Sequence, residues 1–326
     1  MEKKSLQFEL WQECNSRCAY CYLGSENRCT PDELKIKALD STYEKISDLE
    51  QYKEYDVLSF IGGEFFQGQL RNPVVREKFF KVMGKAHELM KVGYVRAIWM
   101  CATMTIGDQK DLYDFLDLFA DIDVPVNSPD GVWICTSYDT IGRFHSNKML
   151  QTWEYNMFNI HKKYPKVKFN TTMILTGDLI KKFLNEEFSF TEFSNKYHTN
   201  FFFKQPAPGH FGCSGDMESK KRMQKYLPNF FPERVDFLKF LAKFANTNPD
   251  LFSHLFNIHF RADDLYRNFN DGERLMVWNH RFKDRKEETN VKDDMALNTC
   301  GHLLQYASYI DSDKCMICDR DNIFED

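Results

Sequence analysis

ECNSRCAYCYLG, residues 13–24, follows a short, largely apolar run at residues 6–11. Its C-x₃-C-x₂-C spacing places Cys14, Cys18 and Cys21 on one loop leaving a strand. Three thiolates so close can wrap a single metal centre, and soft thiolate ligands select zinc or an iron–sulfur cluster. Zinc sites usually pair two C-x₂-C knuckles, which the x₃ spacer fits poorly. Cubane clusters normally take four cysteines. Three in one loop would leave one iron open to a small molecule.

A second motif stands one predicted strand later. Residues 60–66 read FIGGEFF, after an apolar run that includes Val57 and Leu58. Glycines let backbone approach a ligand closely, and Glu64 offers acceptors for an ammonium group. The cysteine triplet, with Tyr20 before its last cysteine, together with Gly62-Gly63-Glu64, resembles the radical S-adenosylmethionine (SAM) superfamily. The resemblance implies a SAM-binding [4Fe–4S] cluster on Cys14, Cys18 and Cys21, with the Gly62-Gly63-Glu64 loop holding the amino group of SAM. It implies reductive cleavage of SAM to a 5′-deoxyadenosyl radical that takes a hydrogen atom from substrate. One departure is Phe65, where the family usually has proline.

At 326 residues the chain has ample length for a large core, and 30 Phe with 15 Tyr make rings the main buried volume. The net charge of −5 argues against bulk nucleic-acid binding by electrostatics. No apolar run approaches the ~20 residues of a membrane span, and the N-terminus shows no apolar leader. Ten cysteines without a leader suggest a reducing compartment, the cytoplasm by default.

In order, strands are expected at 6–11, 56–61, 95–103, 131–137, 166–175 and 200–204, with a helix after each of the first five. Thr30-Pro31-Asp32-Glu33 reads as a helix start with Thr30 as N-cap, and Asn72-Pro73 repeats the pattern. In the fifth strand, KVKFNTTMIL, alternation puts Asn170 and Thr172 on one face; if Phe169, Thr171 and Met173 face the helices, the polar pair lines the barrel interior. Strand–helix alternation with short links predicts a parallel sheet. The expected fold is therefore α/β. The resemblance makes it a partial (β/α)₆ TIM-like barrel over residues 1–208, with its site at the C-terminal ends of the strands. A mostly helical C-terminal region, 209–326, with a small cysteine-containing hairpin, follows the Pro/Gly break at 205–209.

Further site residues are read with their alternatives. The fourth strand ends Ser137-Tyr138-Asp139, followed by Arg143 and His145, a pattern similar to peptide-modifying members of the family. Ser137 either reaches SAM or is an ordinary strand end, and Asp139 better suits a turn cap. Thr103 and Thr105 read as ordinary hydroxyls at a strand end, Cys29 as a free thiol, and Cys101 and Cys135 as small buried hydrophobes. Near the C-terminus, Cys300, Cys315 and Cys318, with Cys213 as the best fourth, look like a shortened SPASM or twitch auxiliary-cluster region. They predict a second iron–sulfur cluster, with zinc as the rival. The implied partners are a peptide or small-molecule substrate and an electron donor such as flavodoxin or ferredoxin. The competing class is a zinc-binding interaction module without enzymatic activity.

Overall fold

The computed structural model describes residues 4–16, 18, 29–48, 55–105, 107–125, 128–204, 228–230, 232–248, 296–298 and 303–307. Their strands are β1 (Lys4–Glu9), β2 (Tyr55–Ile61), β3 (Ala97–Cys101), β4 (Gly131–Tyr138), β5 (Lys168–Ile174), β6 (Thr199–Lys204), β7 (Ala296–Asn298) and β8 (Leu303–Ala307). The helices are α1 (Asp32–Ser47), α2 (Pro73–Lys91), α3 (Lys110–Leu118), α4 (Asn147–Lys163), α5 (Gly177–Leu184), α6 (Phe190–Tyr197) and α7 (Arg234–Thr247).

One sheet holds the strands in the order β6-β5-β4-β3-β2-β1-β8-β7. Strands β1 to β6 run parallel and lie side by side in sequence order. Right-handed crossovers then put every connecting helix on the same face. This α/β arrangement is consistent with a partial TIM-like barrel. The expected strand order from residue 4 to 204 is present, with boundaries moved by a few residues, and two helices, α5 and α6, stand where one was expected. Strand β8 adds to the outer edge of β1 in parallel, Ser5 to Glu9 facing Leu303 to Ala307, and β7 pairs antiparallel with β8.

The helix-facing side is the core. Leu6 and Phe8 of β1, Leu58 and Phe60 of β2, and Ile98 and Met100 of β3 are all buried there. Alternation in β5 buries Phe169, Thr171 and Met173 and leaves Asn170 and Thr172 partly exposed, as the sequence predicts. Asn72 caps α2 through Val74 N–H at 2.9 Å and Val75 N–H at 3.4 Å. Thr30 does not cap α1. Pro31 is the N-cap residue, with no side-chain cap, and the Thr30 N–H donates to Glu13 instead. A break at residues 185–189 separates α5 from α6, where Ser189 accepts from the Glu192 N–H.

Candidate functional site at the C-terminal ends of the strands

The cysteine loop leaves β1 and at once meets the loop that leaves β2. Gly63 N–H donates to Trp11 O and Glu64 N–H to Glu13 O, both at 2.9 Å. The Trp11 indole N–H donates to Glu64 O at 2.8 Å. A Cβ on Gly62 would lie 2.3 Å from Trp11 O, and one on Gly63 would lie 2.2 Å from Glu13 O and 2.4 Å from Gln12 O. No real Cβ tolerates such contacts. The two glycines therefore let the backbone leading into Cys14 press against the Glu64 loop. The close neighbour that demands them is the chain itself.

Glu64 is buried. Its Oε1 accepts the N–H groups of Phe65 and Phe66 at 2.9 Å, and its Oε2 accepts Thr103 N–H from the end of β3 at 2.6 Å. A carboxylate has about four lone-pair sites, so three backbone donors leave room for one more. Phe65 has two uses here: its N–H holds Glu64, and its ring packs edge-on against Trp11, centroids 5.1 Å apart. Proline could supply neither the N–H nor an aromatic ring. The Thr103 and Thr105 hydroxyls share the buried Gln67 amide, the structural role expected of them.

The turn after β4 completes the arrangement. Asp139 is fully buried, and its Oδ1 accepts the N–H groups of Ile141 at 2.9 Å, Gly142, and Arg143 at 3.1 Å. It is the turn cap that its position suggested. Burial pushes its carboxyl above the usual range, against the pull of these backbone donors and of Arg143. Arg143, also buried, reaches Cys18 Sγ with Nη1 at 3.7 Å and Thr103 O with Nη2 at 3.1 Å. His145 Nε2 lies 3.0 Å from Ser16 O. Two residues of this turn thus contact the cysteine loop.

The loop's two ends are also tied together. Lys35, at the start of the buried stripe of α1, forms an ion pair with Glu13 Oε2 at 2.6 Å and donates to Gln69 O at 3.3 Å. Glu13 Oε2 also accepts Thr30 N–H at 3.3 Å. The residue just before Cys14 and the residue just after Cys29 therefore share one buried carboxylate. This clamp was not among the expected site residues. A lysine heading an otherwise weakly polar stripe (Lys35, Ala38, Leu39, Thr42, Ile46) is the signal that could have found it.

Of the expected ligands, Cys14 is partly exposed and Cys18 buried in this loop, with Ser16 N–H 3.5 Å from Cys14 Sγ. The Ser16 hydroxyl is buried with no partner among the described residues. Tyr20, Cys21, Cys213, Cys300, Cys315 and Cys318 lie outside those residues, as does any auxiliary site. Among the described residues no three His, Cys, Asp or Glu side chains form a metal-binding group. The donors that are described are soft, sit beside a permanent cation and flank an orphaned hydroxyl, a chemistry that suits an anionic sulfur-ligated group. Ser137 sits opposite Thr172 on the face away from the helices. Cys101 and Cys135 are register neighbours on that same face, and each is half-buried rather than buried. Desolvation of the Cys135 thiol, with Cys101 beside it, pushes its pKa well up.

The chain matches no family model, and comparison with curated proteins finds no match.

Proposed function

We propose that this chain is a radical SAM enzyme whose cysteine loop, Cys14, Cys18 and Cys21, holds a [4Fe–4S] cluster. The observation that carries the reading is the double backbone hydrogen bond between residues 62–64 and 11–13. It supports one site because it joins the two motifs that the resemblance pairs. The finer fold in this reading is a partial (β/α)₆ barrel, with the site at the end of the strands where barrel enzymes place theirs.

When bound, the cluster and SAM supply a 5′-deoxyadenosyl radical that takes a hydrogen atom from substrate; the protein binds, orients and excludes water. Glu64 is held for that task by three backbone N–H groups, with acceptor capacity left for an ammonium group. Gly62 and Gly63 set the distance between this carboxylate and the thiols. Ser137, on the face away from the helices, lies where a polar part of SAM or substrate would be read. Lys35 and Glu13 fix the ends of the loop without occupying its thiols.

The substrate class in this proposal is a peptide, with a small metabolite or nucleotide base as the alternative. A flavodoxin or ferredoxin is the proposed electron donor, and the cytoplasm the proposed compartment. Among the described residues no helix is long and apolar enough to cross a membrane. The C-terminal cysteines are proposed to hold a second iron–sulfur cluster or zinc.

Anaerobic purification, reconstitution with iron and sulfide, and an assay for 5′-deoxyadenosine with dithionite and SAM test the reading. Iron equal to at least one cubane, with SAM cleavage that is lost in Cys18→Ala, is the expected result. A colourless protein that holds zinc and leaves SAM intact would establish the zinc-module reading instead.

A further inference from the structure

We infer that Arg143 sets the reduction potential of the metal centre at the cysteine loop, by donating an N–H to the Cys18 sulfur. The inference rests on the proposed cluster at that loop. Its basis is the geometry of one side chain. Asp139 takes the Arg143 backbone N–H at 3.1 Å and so fixes where the side chain begins. Nη2 then donates to Thr103 O at 3.1 Å, which fixes the guanidinium plane. Nη1 is left 3.7 Å from Cys18 Sγ, within reach of an N–H···S hydrogen bond. Thr103 is the residue whose N–H holds Glu64. Asp139, Arg143, Thr103 and Glu64 therefore form one connected network across the ends of β2, β3 and β4.

Arg143 carries its charge at every relevant pH, because guanidinium does not deprotonate in proteins. Only 4% of it is exposed, so its charge is weakly screened by water and salt. Hydrogen bonds to cluster sulfurs and local charge are among the features that set iron–sulfur potentials. Reduction adds one negative charge to the centre. A buried cation donating to a ligand sulfur stabilises that reduced form more than the oxidised one and raises the potential. Arg143 is a positioning and tuning residue in this account, and it acts through Cys18.

The test is a redox titration of the reconstituted full-length protein without SAM, following the EPR signal of the reduced cluster. Wild type, Arg143→Gln and Arg143→Lys are compared at matched iron content. Arg143→Gln is expected to have the lower midpoint. At a fixed potential its reduced-to-oxidised ratio should fall about tenfold, equal to about 59 mV for one electron. Arg143→Lys keeps the charge and loses the fork, so its midpoint should fall between the two. Equal midpoints in wild type and Arg143→Gln would overturn the inference while leaving the cluster reading intact. If Arg143→Gln takes up no iron, a midpoint of Arg143→Lys equal to wild type overturns it and a lower one supports it. Wild-type protein that holds no iron would overturn the cluster reading, and this inference with it.

Discussion

The two ends of the sheet are built from opposite materials. At the C-terminal ends of β1 to β4, charged groups are buried: Glu13 with Lys35, Glu64 under three backbone N–H groups, and Asp139 beside Arg143. At the N-terminal ends, charges sit at the surface in pairs such as Lys91 with Asp121 and Lys166 with Asp123. At that end, between the C-terminal end of α3 and residues 163–167 ahead of β5, lies a small cavity of about 190 Å³, lined largely by apolar side chains such as Leu116, Phe119, Ile122 and Val132. Burying a charge costs several kcal/mol even when it is paired, whereas an exposed pair contributes about 1 kcal/mol or less. A fold that needed only stability would have no reason to concentrate the expensive arrangement at one end. The difference sets that end apart as the candidate site.

The comparison can be broken most severely at Lys35. Replacing it with methionine leaves Glu13 buried without its cation, an expected loss of about 3 to 5 kcal/mol. Chemical denaturation measures it, and adding Glu13→Gln should return part of the loss. Gly63→Ala comes next, because its Cβ would collide with the carbonyl oxygens of Gln12 and Glu13. Overpacking of this kind should cost about 3 kcal/mol, and iron uptake by the cysteine loop should fall with it. Relief from the collision without loss of stability would mean the two loops are not locked together.

Asp139 sharpens the comparison through pH. Its folded carboxyl titrates above the ordinary 3.8, chiefly because it is buried. Between those two values the folded state binds more protons than the unfolded chain, so stability falls as pH rises through the window. The favourable contribution is complete below 3.8 and lost above the raised folded value. Asp139→Asn removes this titration, so its melting temperature relative to wild type should rise with pH across that range. Parallel curves would show that the turn does not confine a proton. The smallest effect belongs to the opposite end: Lys166→Gln, which removes an exposed pair with Asp123, should change stability by under about 1 kcal/mol, and salt should mask most of it.

Much of this was legible in the sequence, for identifiable reasons. Alternation separated the two faces of β5, and Asn72-Pro73 marked the capped start of α2. Glycines at 62 and 63 announced a close approach. What they approach was not legible, since a ligand and a neighbouring backbone demand the same missing Cβ. Thr30-Pro31 looked like a capped helix start, but the Thr30 N–H is drawn to Glu13, a long-range partner that no local pattern encodes. The Arg143–Cys18 contact spans 125 positions and is of the same kind. The pairing of β8 with β1 was also unforeseen. It means the chain leaves β8 at the same end of the sheet at which it leaves β1.

The central claim is that this end of the sheet holds a cluster with an iron open to SAM. EPR of the reconstituted, dithionite-reduced protein, recorded with and without SAM, tests it most directly. The account predicts a reduced-cluster signal that changes shape when SAM is added and is absent from Cys18→Ala. A wild-type protein with no such signal, or one whose cluster signal ignores SAM, would contradict it.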